Sequence, residues 1–104
     1  MFNINGIEWE VVKTSVNHPK LFRSNGTLSI GACDDTTKTI YLNENLRGNR
    51  LKKVLYHEVV HAAMFSYHVS LTIEQEELVA DLIATYGDEI IEVTNRIFNK
   101  IRYK

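Results

Sequence analysis

The sequence predicts an α+β fold, with a small antiparallel sheet packed on a central helix and two further helices. Three observations predict it. Segments rich in β-branched and aromatic residues fall in the first half of the chain. The second half holds long Gly- and Pro-poor segments with apolar residues at helical spacing. Strands first and helices after is the pattern of an α+β domain. With 104 residues, one proline and no repeat or low-complexity tract, the chain offers no linker and reads as a single domain over residues 1–104.

The elements follow in order. Residues 7–13 (IEWEVVK) read as a strand, with Trp9 and Val11 packing the sheet onto the helices. Ser24-Asn25-Gly26 is a turn signal. Over residues 27–33, Leu28, Ile30 and Ala32 alternate with Thr27, Ser29 and Gly31, the pattern of a strand. Asp34-Asp35-Thr36-Thr37 is a polar turn, and residues 38–43 (KTIYLN) return as the second arm of a hairpin. Residues 50–67 are apolar around almost the whole helical circumference, which predicts a central, largely buried helix. Thr72 and Gln75 fit a capping box that starts a helix over about residues 73–86. Gly87 permits a break, and Ile90, Thr94, Ile97, Phe98 and Ile101 mark a final amphipathic helix.

Composition narrows the function classes. Twelve Lys+Arg against thirteen Asp+Glu leave a net charge of −1, which argues against nucleic acid as a partner. No run approaches 18 apolar residues, so no membrane span is expected. The opening MFNINGIEWEVVK has no basic stretch followed by an apolar one, so no secretory signal is expected. A lone cysteine, Cys33, has no internal disulfide partner and reads as a small buried hydrophobe. Together these predict a reducing, cytoplasmic setting.

Three of the four histidines lie at 57, 61 and 68. His57-Glu58-Val59-Val60-His61 is an H-E-x-x-H motif inside the predicted central helix. Residues i and i+4 share one helix face, so both imidazoles can reach one metal ion. Glu58 sits about 100° further round and can serve a metal-activated water as general base without ligating the metal. Two buried histidines and a buried carboxylate are costly unless paired or metal-bound. The expected cofactor is one Zn2+, which in a catalytic site needs a third protein ligand. Glu77 is that candidate, with Asp81 one turn on to orient a histidine. Glu76 is the alternative ligand, because it lies nearer the apolar arc of Val79, Ile83, Tyr86 and Ile90.

His57-Glu58-Val59-Val60-His61 followed by Glu77-Leu78-Val79-Ala80-Asp81 resembles the gluzincin branch of zinc metallopeptidases, with H-E-x-x-H on one helix and E-x-x-x-D on the next. The resemblance spans residues 27–90 and points toward the small ImmA/IrrE-like metallopeptidases of phages and mobile elements. Those proteins carry H-E-L-G-H where this chain has H-E-V-V-H, and E-A-N where it has Glu77-Leu78-Val79. The resemblance implies a minimal zincin-like fold and hydrolysis of a peptide bond in a protein or peptide substrate, an intracellular regulator. It also implies that the hairpin strand holding Thr39, Ile40, Tyr41 and Leu42 is an edge strand that binds the substrate backbone.

Three further readings complete the sequence. His68 and Tyr86 are candidate oxyanion donors, against a helix-end role for the first and core packing for the second. Arg47, Arg50, Lys52 and Lys53 read as a solvated helix start. The alternative function is a non-catalytic zincin-fold binding or regulatory protein that acts by occupying a partner, which the small size of the chain keeps open.

Overall fold

The computed structural model describes residues 1–22 and 28–102. The Ser24-Asn25-Gly26 turn signal and Thr27 lie outside the described residues. The fold is a small α+β arrangement of a four-stranded sheet and two helices. Strands β1 (Phe2–Ile4), β2 (Ile7–Thr14), β3 (Gly31–Asp34) and β4 (Thr39–Asn43) are followed by α1 (Gly48–Ser66) and α2 (Ile73–Ile101); a short 3-10 turn, Pro19–Leu21, lies between β2 and β3.

The sheet is mixed rather than purely antiparallel, in the order β1-β2-β4-β3. β2 and β4 run parallel, with Val11 opposite Ile40 and Lys13 opposite Leu42. A parallel pair needs a crossover of a dozen or more residues, and the stretch from Ser15 to Lys38 supplies it while carrying β3 on the way. β4 is therefore an inner strand and β3 is the edge. This corrects the expectation that Thr39, Ile40, Tyr41 and Leu42 form an edge: Thr39, Ile40 and Leu42 are buried, and β4 is paired on both sides.

Strand β1 is an element the sequence reading omits, although Asn5-Gly6 signals it. Both residues take positive φ, at 52° and 77°, as a tight two-residue hairpin turn requires. This hairpin holds the end of α1. Asn5 Nδ2 donates to the Ser66 carbonyl at 3.0 Å, and the indole N–H of Trp9 donates to Ser66 Oγ at 2.8 Å. Trp9 is fully buried with Ile40, Leu42, Leu46 and Ala62 in the core between sheet and α1, whereas Val11 stays exposed.

Helix α1 is the middle layer. One side packs on the sheet, and the other meets α2 through Val60, Met64 and Ala80. The expected break at Gly87 is absent, so the two expected C-terminal helices form one, α2. Gly87 instead marks a close approach. A Cβ built there would lie 2.8 Å from Tyr56 Oη, so the glycine makes room for α1. The Thr72–Gln75 capping box starts α2 as expected, with both reciprocal bonds formed at 3.1 Å. No helix among the described residues is long and apolar enough to cross a membrane.

Candidate metal centre

α1 and α2 bring five of the expected site residues together. His57 and His61 project from successive turns of α1, with their Nε2 atoms 3.1 Å apart. The Glu77 carboxylate of α2 meets both, at 3.1 Å from His57 Nε2 and 3.0 Å from His61 Nε2. The Nδ1 atoms face away from this point, each toward another carboxylate: His57 Nδ1 lies 2.9 Å from Asp81 Oδ1, and His61 Nδ1 lies 2.6 Å from Glu76 Oε1. Glu77 and Glu76 are thus not rivals for one role. Glu77 reaches the shared point between the histidines, and the more buried Glu76 orients His61.

The donor set fits a metal ion. Asp81 and Glu76 are acceptors for a hydrogen on each Nδ1, the tautomer that leaves both Nε2 lone pairs to a metal. In that tautomer the two Nε2 atoms and the Glu77 carboxylate converge on one point, where all three could hold a cation. A tetrahedral zinc ion with bonds of about 2.0 Å spaces its donors about 3.3 Å apart, close to the separations here. The candidate ligand atoms of His57, His61 and Glu77 all lie within 4.8 Å of one another. Metal-binding histidines commonly donate their other ring N–H to a carboxylate, the role Asp81 and Glu76 fill here.

Glu58 is buried, 8% exposed, and faces the edge strand. A Cβ built at Gly31 would lie 3.3 Å from Glu58 Cγ and Oε2, and 2.8 Å from Val54 Cγ1. The glycine lets β3 approach the Val54 and Glu58 face of α1 more closely than a side chain would allow. Gly31 is thus a site residue the sequence reading misses; a glycine inside a strand pattern is the signal for it. The strand expected over residues 27–33 begins only at Gly31, and the expected alternation is reversed: Leu28 and Ile30 are exposed, while Ser29 is buried and Gly31 faces the helix. Cys33 packs against the core, as expected, and burial pushes its thiol well above the usual range, with the Glu58 charge adding to the effect.

Two clefts meet at this point, of about 460 and 610 Å³, and Ser29, Gly31, His57, Glu58 and Glu77 line both. The first continues past Leu21, Phe22, Phe65 and Ile73; the second past Arg50, Lys53, Asp81 and Ala84. His68 and Tyr86, the expected oxyanion donors, line neither. His68 ends α1 in the left-handed conformation (φ 55°), its N–H donating to the Phe65 carbonyl and that of Val69 to the Met64 carbonyl. These two bonds form a Schellman cap, a structural role. Tyr86 is 53% exposed on the outer part of α2. No family model, curated protein or solved structure matches the chain.

Proposed function

We propose that the protein is a zinc-dependent peptidase, with His57, His61 and Glu77 as metal ligands and Glu58 as general base. The supporting observation is the convergence of two Nε2 atoms and one carboxylate, each imidazole being held from behind by a further carboxylate. Zinc, when bound, lowers the pKa of its water and polarises the substrate carbonyl. Glu58, one position beyond His57 and facing both clefts, takes the proton from the attacking water and passes it to the leaving amine. Asp81 and Glu76 fix the tautomer and direction of the two imidazoles.

The substrate is a protein or peptide segment in extended form, which adds to the sheet at β3. Asn43 N–H donates to the Ile30 carbonyl at 3.0 Å. By antiparallel alternation Ala32 and Asp34 then face β4, while the backbone groups of Gly31 and Cys33 face outward, beside the site. The outward amide of Gly31 donates to Ser29 Oγ at 3.2 Å, a contact a bound strand would exchange for its own.

The test compares wild-type protein and Glu58→Gln on a pooled peptide library, with zinc content measured on both. One zinc per chain in each, with cleavage by wild type alone, is the expected result. Equal cleavage by both removes Glu58 as base. Equal biological effect without cleavage by either selects the non-catalytic binding role.

A further inference from the structure

The basic cluster at the start of α1 is not uniformly solvated. Lys52 pairs with Asp88 at 2.8 Å, and Arg47 donates to the Glu44 and Leu46 carbonyls. Among the described residues Arg50 and Lys53 have no ion pair, and both line the second cleft. The position of Arg50 also opposes local helix physics. The first turn of α1 has no acidic residue and no side-chain cap, so Arg50 meets the positive end of the helix dipole. A local rule broken without local compensation points to a ligand.

We infer that Arg50 and Lys53 select an acidic residue in the peptide substrate, two to three positions from the scissile bond. The inference rests on the peptidase reading. Lys53 stands one turn before His57 and Arg50 about two turns before, or roughly 6 and 10 Å along the helix axis. An extended peptide advances about 3.3 Å per residue. A chain crossing the metal centre therefore presents its second or third residue on that side to the two cations. The first cleft, lined by Leu21, Phe22, Phe65 and Ile73, offers apolar surface on the other side. The preferred substrate is a segment apolar on one side of the cut and acidic on the other.

Binding to the zinc-loaded Glu58→Gln protein tests this without turnover. Fluorescein-labelled peptides differing only by Glu, Gln or Lys at one position are titrated and read by anisotropy. The Glu peptide should bind about three- to tenfold tighter than the Gln peptide, the scale of two exposed ion pairs. The difference should vanish in 1 M salt, where the screening length is about 3 Å. Adding Arg50→Glu and Lys53→Glu should reverse the preference toward Lys while zinc stoichiometry stays unchanged. Equal binding of Glu and Gln peptides at every position overturns the inference. So does an oligonucleotide that competes as well as the Glu peptide, since it assigns the pair to phosphate. Loss of zinc or of wild-type hydrolysis reports separately on the peptidase reading.

Independently, every residue from Asp88 to Arg102 is exposed. Ile90, Ile91, Ile97, Phe98 and Ile101 form one apolar stripe, each 53–55% exposed. The radius of gyration, 15.7 Å, exceeds the roughly 13 Å of a compact chain this long. We infer that this stripe docks a second copy of the chain, antiparallel. At roughly 100 Å² each, these side chains offer about 500 Å² of apolar surface. That is close to the apolar share of the ~800 Å² each partner contributes to a standard interface. Charge sets the direction: Glu89 and Glu92 lie on one side of Thr94, and Arg96 and Lys100 on the other. Antiparallel pairing centred near Thr94 sets acid against base, and parallel pairing sets like against like. Sedimentation equilibrium should give a dimer, and Ile90→Glu with Ile97→Glu a monomer of unchanged zinc content. A Glu89→Lys/Glu92→Lys chain should self-associate less than wild type and form a dimer when mixed with an Arg96→Glu/Lys100→Glu chain. A wild-type monomer at all concentrations, or failure of the swapped chains to pair, overturns the inference.

Discussion

Replacing Gly31 by alanine tests how closely the edge strand must approach helix α1. The added Cβ would lie 2.8 Å from Val54 Cγ1 and 3.3 Å from Glu58 Cγ and Oε2. Real Cβ contacts do not close to 2.8 Å, so Val54 or the strand must shift, and Glu58 shifts with them. Overpacking of this kind costs about 1–3 kcal/mol. Removing glycine's freedom from the unfolded chain returns about 0.4–1 kcal/mol. The net loss spans about 0–2.6 kcal/mol, read as a lower urea midpoint with unchanged slope, or as a lower Tm. The Val54→Ala background removes the atom that clashes. In a double-mutant cycle the two changes should couple by about 1 kcal/mol or more. Peptidase kcat should fall in Gly31→Ala while zinc affinity holds, because the metal ligands lie on other contacts. Absence of coupling between Gly31→Ala and Val54→Ala refutes the close-approach argument.

Other predictions follow the same contacts. Asp81→Asn and Glu76→Gln should each weaken zinc binding by about 10- to 100-fold in competition titrations, since each frees one imidazole. Gly87→Ala should lower the unfolding midpoint in the wild-type background and lower it less in Tyr56→Phe, where the hydroxyl 2.8 Å from the new Cβ is gone but Ile83 Cγ2 and Tyr56 Cζ stay at 3.2 and 3.3 Å. His68→Gly should stabilise by about 0.5–1 kcal/mol, because glycine takes the left-handed cap without strain, and should leave zinc binding unchanged. The Lys20–Asp34 pair gives a pH test. The hydrogen bond from Lys20 holds Asp34 below the usual carboxylate range, and Asp34 raises the Lys20 ammonium. The Asp34 contribution is present above its unfolded value and is lost as pH falls through its folded one; the Lys20 contribution is lost as pH rises through its raised value. Lys20→Ala should flatten the acid limb of the stability profile.

Much of the site is legible because its rules are local. The four-residue spacing from His57 to His61, the Thr72–Gln75 cap and the all-round apolarity of α1 are each set within one or two helical turns. The sheet is less legible because pairing is not local. Nothing in residues 7–14 or 39–43 states that they run parallel, so the edge falls on β3 rather than β4. The division between Glu76 and Glu77 depends on how α2 is rotated against α1, which Ala80, Val60 and Met64 decide together. Gly87 shows how tertiary packing overrides propensity. Alone it marks a helix break; beside Tyr56 it lets one helix run from Ile73 to Ile101.

In the proposed centre His57, His61 and Glu77 hold one zinc ion, with Asp81 and Glu76 behind the imidazoles. Anomalous diffraction at the zinc edge, from crystals of zinc-loaded protein, locates that ion. A single peak is expected about 2.0–2.2 Å from both Nε2 atoms and from a Glu77 carboxylate oxygen. No peak at that point, or a peak bound through Nδ1 with Asp81 or Glu76 as the carboxylate ligand, would contradict the proposed centre.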